Sequence, residues 1–316
     1  MLATGHSFRA EVEAEMISYN KQMSNVKYQM SNGEELEIIL TRGEINGKRV
    51  AKKIYKINGV NRRMIDFVGR LRVVYFGPED LEIVVDSPAR RRDYLSSVLE
   101  QVDREYRRAS LSYKKGLRQR NKLLEQIRDE RKPRSVLYFW DRLLIENGEV
   151  ITKKREEFIN FVNEQPSYFE KLELVYDKSI ISPQRLAQYA EEEVAAGVTL
   201  VGPHRDDFVA QIQMPASRDS LGMPKPKIKK ELSAFGSRGE QRTAVFCLKL
   251  AEMEFITQKT SQRPVLLLDD IFSELDHQRR KRLLEVIPRQ QTIITTTDLH
   301  LVEPELRKKM EVIRLV

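Results

Sequence analysis

The sequence predicts an α/β protein in which one lobe contains a mixed β-sheet and a second, helical lobe is inserted into the first. Three observations support this fold class. Residues 265–268 are apolar without alternation, which is typical of a strand in a buried parallel sheet. Residues 26–57 carry the alternation and turn residues of an antiparallel region. Residues 87–197 change to long, charge-rich patterns with apolar residues every three or four positions, which indicate helices.

The composition restricts the class of protein. The chain has 316 residues, of which 41% are hydrophobic and 32% charged, so it can form a sizeable core. Its net charge of +8 favours a polyanionic partner such as nucleic acid, although many basic proteins have none. Cys247 is the single cysteine, which excludes an intrachain disulfide and a cysteine-based metal site. No apolar run approaches the roughly 18 residues of a membrane span, and no signal peptide is visible, so we expect a cytoplasmic protein without a membrane partner.

Residues 1–86 are predicted to be the first part of the sheet-containing lobe. The predicted strands cover residues 26–30, 36–40, 48–57 and 71–76. Asn32 and Gly33 form the expected hairpin turn between the first two strands. The last strand is followed by Gly77-Pro78-Glu79-Asp80, which places two carboxylates at its end.

Residues 87–197 are predicted to form a helical hairpin or small bundle, too short for a long coiled-coil arm. Two basic clusters lie in this part of the sequence, and their residues are Arg90, Arg91, Arg92, Lys114, Lys115 and Arg118. Such clusters are usually the solvated face of a helix. The alternative is contact with the phosphate backbone of DNA, to which lysine and arginine bind with release of counterions.

Residues 198–316 are predicted to complete the sheet-containing lobe. Strand character returns at residues 198–201, and a strand is predicted over residues 208–214. Residues 215–230 hold three prolines and several lysines with little periodicity, which predicts a loop without an assignable role.

The apolar run 265–268 ends in two adjacent carboxylates, Asp269 and Asp270. Such a pair at the carboxyl end of a buried strand lies where α/β sheets bind ligands, and it is costly unless a cation or polar partner neutralises it. This is the pattern of a Walker B strand, in which Asp269 would hold Mg²⁺ and Asp270 would face the attacking water. The alternative is a strand followed by an aspartate that caps a helix. Residues 273–276 follow at the spacing of a D-loop, and Asp276 can also cap a helix over residues 277–287.

The segment Phe235-Gly236-Ser237-Arg238-Gly239-Glu240-Gln241-Arg242 opens a further predicted helix. Its glycines and serine leave backbone N–H groups available to an anion, although a plain helix cap explains the segment equally well. The pattern Ser237-x-Gly239-x-Gln241 precedes Asp269 in the order and at the approximate spacing of the signature motif and Walker B strand of ABC-type ATPases. The two motifs together predict an ABC-type ATPase lobe.

A nucleotide site of this kind also needs a P-loop, G-x-x-x-x-G-K-[ST], whose amides and lysine hold the phosphates. The sequence contains no such motif. Residues 43–49 resemble it superficially, but they have three residues between the glycines, Arg49 where Ser or Thr should stand, and a hairpin-like pattern. The absence of the motif leaves a second hypothesis open, a non-enzymatic DNA-binding or partner-docking protein.

Over essentially its whole length the chain is similar to the RecF family of ABC/SMC-like ATPases. The segments that carry this resemblance are 5–9, 74–81, 87–92, 117–121, 140–141, 202–207, 235–242, 268–270 and 295–298. In RecF proteins the residues around Gly5 follow the helix that the P-loop opens. The resemblance therefore implies that a first strand and P-loop belong ahead of residue 1, and a misassigned start codon or a fragmentary gene would explain their absence.

The resemblance also implies a role for each matched residue. Asp269 is the Walker B acid that binds Mg²⁺, and Asp270 occupies the catalytic position that orients or activates water. The strand end at Glu79 and Asp80 corresponds roughly to the Q-loop region. The residues that would contact ATP or lie at the dimer interface are Ser237, Gly239, Gln241, Asp276 and Thr297.

The function that the resemblance implies is an ATP-gated homodimer that binds DNA, single-stranded or gapped duplex. Such a protein would act in recombinational repair, replication restart and the SOS response, with RecR and RecO as partners. An ABC transporter subunit fits poorly, because the helical insertion is large and basic and Thr297 stands where transporters have histidine.

Overall fold

The structure, a computed structural model, describes residues 1–7, 10, 12–166, 171–213, 229–302 and 304–314. Most of the predicted loop 215–230 and part of the segment 5–9 lie outside these residues. The chain divides into two compact units, the first made of residues 1–72 and 100–108, the second of residues 73–99 and 109–316. The three-part division into residues 1–86, 87–197 and 198–316 stays a prediction.

Strands and helices alternate irregularly along the chain. The strands are β1 (Met23–Gln29), β2 (Glu35–Thr41), β3 (Glu44–Ile45), β4 (Lys48–Arg49), β5 (Lys53–Ile57), β6 (Val60–Arg62), β7 (Val73–Phe76), β8 (Leu172–Asp177), β9 (Asp207–Gln213), β10 (Lys229–Glu231), β11 (Val265–Asp269) and β12 (Thr292–Thr295). The α-helices are α1 (Met64–Phe67), α2 (Glu82–Val85), α3 (Pro88–Val102), α4 (Arg104–Glu130), α5 (Tyr138–Glu164), α6 (Pro183–Gln188), α7 (Ala190–Ala196), α8 (Leu232–Phe235), α9 (Arg238–Thr260), α10 (Ile271–Glu274), α11 (His277–Val286) and α12 (Pro304–Arg307). None of the helices in the described ranges has the length and apolar character that a membrane crossing requires.

The first unit contains an antiparallel sheet of strand order β1-β2-β5-β6. Its central strand β2 is almost fully buried, because Leu36, Ile38 and Leu40 pack into the unit's core. The predicted single strand over 48–57 is divided: Lys48 and Arg49 pair in a small hairpin with β3, and β5 starts at Lys53. Residues 43–49, which only superficially resemble a P-loop, thus form a hairpin.

The turn of that hairpin explains its shape. Asn46 and Gly47 both have positive φ angles, of 49° and 75°. Two such residues form the type I′ turn whose twist matches that of a two-stranded ribbon, and Asn-Gly is the preferred sequence for it.

The second unit contains a parallel sheet in which β11 lies between β12 and β7. Leu266 and Leu268 are buried and Leu267 is half-buried. The predicted interior strand is therefore present, with one face better covered than the other. Since β7, β11 and β12 run in the same direction, their carboxyl ends meet at one edge of the sheet.

Helix α9 packs against β7, α2, α5 and α8 in the core of this unit. It is buried on most of its circumference, as its apolar sequence predicts. The ring of Phe246 lies 5.9 Å from that of Phe76 on β7, and the ring of Phe255 lies 4.9 Å from that of Phe158 on α5. Burial of each such aromatic side chain stabilises the unit by roughly 1.5–3 kcal/mol.

Two stretches differ from the sequence prediction. Residues 172–177, predicted within the helical region, form β8, which pairs antiparallel with β9 in a sheet of order β10-β9-β8. The alternating sequence Leu-Glu-Leu-Val-Tyr-Asp suits a strand, and long-range pairing with β9 stabilises it there. Residues 198–201 do not form the expected strand, and Thr199 instead bonds to Asn121 of α4.

Candidate functional site

Asp269 is the last residue of β11, and two side chains from the flanking strands hold its carboxylate. The hydroxyl of Tyr75, on β7, donates to Asp269 Oδ2 at 2.9 Å. The hydroxyl of Thr295, at the end of β12, donates to Asp269 Oδ1 at 2.6 Å. Each carboxylate oxygen thus accepts a hydrogen bond from a different strand, which fixes the orientation of the group at the edge of the sheet.

Asp270 leaves the strand through a sharp change of direction. Its φ angle is +50°, in the left-handed region that only glycine, asparagine and aspartate tolerate well. Its backbone N–H donates to the carbonyl of Thr295 at 3.1 Å. Although Asp270 precedes α10, its side chain does not cap that helix. The alternative explanation of the pair, an ordinary aspartate cap, therefore does not describe this turn.

The turn after β7 divides its two acids between the sheet edge and the interior. Glu79 is exposed, and the hydroxyl of Tyr75 donates to its Oε2 at 2.9 Å. Asp80 is buried, accepts from the backbone N–H of Gly77 at 2.9 Å and lies 2.9 Å from Lys249 Nζ on α9. Glu79 thus belongs to the edge that carries Asp269, while Asp80 joins the turn to α9.

Around Lys249 lies a buried cluster of charges. Lys249 Nζ is 3.3 Å from Glu252 Oε2 and 5.0 Å from the ring centre of Tyr94. Burial lowers the pKa of Lys249, but the carboxylates of Asp80 and Glu252 outweigh it and raise that pKa above its ordinary value. Burial raises the pKa of Glu252 to about 7. The second carboxyl group beside a single lysine is therefore only partly ionised at neutral pH.

The predicted signature segment begins α9 with a capping box. Ser237 Oγ accepts from the backbone N–H of Glu240 at 3.3 Å, and Glu240 Oε2 accepts from the backbone N–H of Ser237 at 2.6 Å. Lys230 Nζ lies 2.8 Å from the same oxygen, and its hydrogen bonds, with those of Ser237, lower the pKa of Glu240 to about 2. Ser237 and Gly239 are exposed, and a Cβ added at Gly239 would meet no atom within 4 Å.

Gln241, predicted to contact the nucleotide, points into the protein. It is buried, and its side-chain amide donates to the carbonyl of Leu232 at 2.8 Å. Gln241 thus fastens the start of α9 to the short helix α8 that precedes it.

Arg279 connects the signature segment with the predicted D-loop. Its guanidinium lies 2.5 Å from Asp276 Oδ2 and donates to the carbonyl of Gly239 at 3.2 Å, as well as to the hydroxyl of Thr243. Asp276 also caps α11 as predicted, since its Oδ1 accepts from the backbone N–H of Arg279 at 2.9 Å. Sequence reasoning missed Arg279, because an arginine near a helix start carries no distinctive signal.

Thr297 is exposed two residues beyond β12. It follows the strand that supplies Thr295 to Asp269. The geometry therefore groups Asp269, Asp270 and Thr295 at the carboxyl edge of the sheet, and it ties Asp276 to Gly239 through Arg279.

We compared the chain with known protein families, curated proteins and solved structures. No protein-family model matches the chain. The DNA replication and repair protein RecF of Herpetosiphon aurantiacus is 37% identical over 333 residues, which cover 94% of this chain and 82% of the relative. RecF of Thermomicrobium roseum is 35% identical and covers 100% of this chain and 87% of its own length. The chain belongs to the RecF family.

Solved structures agree with this assignment. A structure of the recombination mediator protein RecF in its RecF-ATPrS form has a TM-score of 0.79 and 31% identity, covering 96% of this chain and 82% of the other. The RecF-ATP form also has a TM-score of 0.79, with 30% identity, and it covers 94% and 81%. The predicted resemblance and the predicted α/β ABC-type fold class are confirmed.

The predicted basic clusters of this RecF-family chain have different environments. Arg91 is buried and makes a bidentate ion pair with Asp207, at 2.6 and 2.8 Å, while also donating to the carbonyl of Asp86. Arg92 donates to the carbonyl of Asp206 at 2.9 Å, and Arg90 is exposed beside Asp86. The guanidinium of Arg91 is thus committed within the protein and is not placed for DNA contact.

The second cluster has the opposite character. Lys114, Lys115 and Arg118 are exposed on α4. Residues 115 and 118, with Lys122 one turn further on, recur at the three- and four-residue spacing that places them on one face of the helix. This face of α4 is an exposed basic surface of the second unit.

Few protein side chains are placed to bind the predicted Mg²⁺. Across the described ranges, no group of three or more His, Cys, Asp and Glu side chains is placed to hold a metal ion. Mg²⁺ commonly binds one or two carboxylates and completes its shell with phosphate oxygens and water. Asp269, oriented at the sheet edge, fits this mode of binding rather than a site built from protein alone.

Proposed function

We propose that this chain acts in DNA repair as a DNA-binding ATPase whose ATP sites form between two copies. The observation that carries the proposal is the edge of the parallel sheet, where Tyr75 and Thr295 orient Asp269 and where Asp270 turns out of β11. Hydrogen bonds from the two flanking strands fix the orientation of the Asp269 carboxylate, and fixed groups of this kind are what catalysis of phosphoryl transfer requires.

In this proposal the two acids have different tasks. Asp269 holds Mg²⁺, which neutralises phosphate charge when bound. Asp270, on its left-handed turn, accepts a proton from the attacking water or orients it. Thr297, exposed just beyond β12, contacts the phosphate side of the same site.

The other half of each site comes from the second copy. Ser237 and Gly239 are exposed at the start of α9, where the Ser237 hydroxyl proton and the N–H groups that the capping box does not use are available to the γ-phosphate. Phe235, 71% exposed, provides apolar surface beside them for the neighbouring copy. Arg279 contacts both Asp276 and Gly239, so Asp276 lies beside the same proposed interface. Gln241 stabilises the start of α9 by its hydrogen bond to the carbonyl of Leu232.

The relatives support the choice of nucleotide and pathway. RecF structures in RecF-ATP and RecF-ATPrS forms belong to the RecFOR pathway. We infer that this chain likewise uses ATP and works with RecR and RecO at single-stranded or gapped DNA. Lys114, Lys115 and Arg118 would contact the DNA backbone, and Arg90 stays a weaker candidate at the exposed start of α3.

The experiment uses the chain joined at its amino end to the strand and P-loop that the family resemblance implies, because residues 1–316 contain no P-loop motif. We expect ATP hydrolysis that increases with gapped DNA and that Asp270→Asn reduces at least about a hundredfold, as loss of a catalytic base does. Glu191→Gln, at an exposed glutamate on α7, is the control. Equal hydrolysis in the Asp270→Asn variant would remove the assigned role.

A second candidate function is DNA binding without hydrolysis, which uses the exposed face of α4 and needs no P-loop. The DNA sequence upstream of codon 1 discriminates between the two. An in-frame G-x-x-x-x-G-K-[ST] favours the ATPase, and its absence together with retained DNA binding favours the second candidate.

A further inference from the structure

A small cavity of about 70 Å³ lies at the edge of the parallel sheet opposite to Asp269. Three arginines line it: Arg263 lies two residues before β11, Arg289 precedes β12, and Arg282 belongs to α11. Since both strands start there and end at the nucleotide edge, a strand of five residues separates the two places by about 15 Å. The cavity is therefore distinct from the proposed ATP site.

The charges around this cavity are unbalanced. Glu254 is the acidic residue among its lining side chains, so three positive charges face one negative charge. In the described part of the chain, Arg263 and Arg289 take part in no ion pair, whereas Arg282 pairs with Glu285 on its own helix. Glu254 likewise forms no ion pair with a described residue, so it offsets part of the positive charge without engaging one particular arginine.

Apolar side chains line part of the cavity beside the arginines, and they include Val162, Leu172, Leu250 and Val286. Arg263 and Arg289 are exposed and Arg282 is half-buried, so the three like charges repel one another in a partly solvated environment. An anion bound among them would relieve that repulsion, so the site favours a negatively charged occupant.

We propose that the Arg263–Arg282–Arg289 cavity binds a phosphate group. Guanidinium groups bind phosphate through paired N–H donors, and two arginines that take part in no described ion pair, Arg263 and Arg289, match the two charges of a phosphate dianion better than the single charge of a carboxylate. The volume is sufficient for one compact tetrahedral anion. The group comes either from free inorganic phosphate or from a DNA backbone. This site does not depend on the proposed ATPase function.

Cys247 offers a native reporter, because it lines the same cavity and is the single cysteine of the chain. Its rate of reaction is measured with a neutral disulfide, 4,4′-dithiodipyridine, while inorganic phosphate or a short single-stranded oligonucleotide is added. Sodium chloride at matched ionic strength controls for screening. We expect saturable protection of Cys247 in the native chain.

The variants Arg263→Gln and Arg289→Gln should each weaken this protection about tenfold, which corresponds to the loss of one charge-assisted hydrogen bond. Arg185→Gln, exposed on α6, is the matched control and should leave protection unchanged. Thermal melting verifies that the variants fold, as expected for exposed arginines.

The two sources of phosphate give different outcomes, and either supports the site. Protection by inorganic phosphate identifies a free-anion site, and protection by the oligonucleotide alone identifies a backbone contact. Three results would overturn the proposal: no protection by either probe, protection equal to that of sodium chloride, or protection that both arginine variants retain.

Discussion

Tyr75 and Asp269 lie on neighbouring parallel strands, and the tyrosine hydroxyl donates to Asp269 Oδ2 at 2.9 Å. The same hydroxyl oxygen is 2.9 Å from Glu79 Oε2, so one phenol proton serves two carboxylates. Gly77 permits this arrangement, because a Cβ there would lie 2.2 Å from the hydroxyl. Tyr75 is therefore a positioning residue for the carboxylate proposed to bind Mg²⁺.

Tyr75→Phe should weaken the binding of Mg²⁺ at Asp269 in the chain joined to a P-loop. Loss of the hydroxyl frees one oxygen of Asp269 from its partner, and removal of such supporting partners typically costs 10–100-fold in metal affinity or activity. We expect the Mg²⁺ concentration for half-maximal ATP hydrolysis to rise about tenfold. Tyr19→Phe, at a fully exposed tyrosine, is the control. An unchanged Mg²⁺ dependence would show that Thr295 alone orients Asp269.

The stability of the chain should depend on pH through Glu252. Burial raises the pKa of this carboxyl to about 7, so the folded state retains a proton that the unfolded state releases near pH 4.5. The free energy of unfolding should therefore fall by a few kcal/mol as pH rises from about 4.5 to 7, with no further change from this group above that range.

Urea unfolding at several pH values tests this prediction. Glu252→Gln should flatten the pH profile between 4.5 and 7, because the amide does not titrate. Glu254→Gln, at an exposed glutamate two residues further along α9, should retain the native profile. Parallel profiles for the native chain and the Glu252→Gln variant would contradict the assignment.

Arg120 should be essential for the stability of the second unit. It is 2% exposed and lies 2.7 Å from both Asp141 Oδ1 and Glu193 Oε2, while Glu193 is 1% exposed. Arg120→Met leaves the Glu193 carboxylate buried without its cation, which should cost about 3–5 kcal/mol in the free energy of unfolding. Exposed Arg118→Met on the same helix should cost less than about 0.5 kcal/mol. Similar urea midpoints for the two variants would refute this.

The sequence predicts those parts of the site that depend on local pattern. The apolar run before Asp269 becomes β11, Ser237 caps α9, and Asp276 caps α11, because each feature is encoded within a few residues. These elements also carry the family resemblance, which the comparisons confirm.

Features that depend on distant partners were not predictable from the sequence. Arg91 is indistinguishable from Arg90 in a basic run until the fold places Asp207 beside it. In the same way, the burial of Asp80 follows from Lys249, which lies far along the chain on α9. Patterns of three or four residues cannot reveal such pairs, so exposed and buried members of a charged cluster remain unresolved.

DNA binding by the chain should fall steeply with salt, because phosphate contacts release counterions. Substitution of Lys114, Lys115 or Arg118 by Gln should weaken binding to gapped and single-stranded DNA, and each lost contact should reduce the slope of log affinity against log salt by about 1. Fluorescence anisotropy with labelled oligonucleotides measures this. Lys48→Gln, exposed on β4, is the control. A native salt slope near zero would exclude the electrostatic surface.

The most direct test of the central claim is a mixing experiment with two inactive variants of the chain joined to a P-loop. One carries Asp270→Asn and the other Ser237→Arg, while exposed Ser233→Arg controls for bulk near α9. If each ATP site combines Asp270 of one copy with Ser237 of the other, a mixed dimer contains one intact site. Equal mixing should then restore about a quarter of the native hydrolysis rate, since half of the dimers are mixed and each has one of two sites. A mixture no more active than the sum of the separate variants would contradict a site shared between copies.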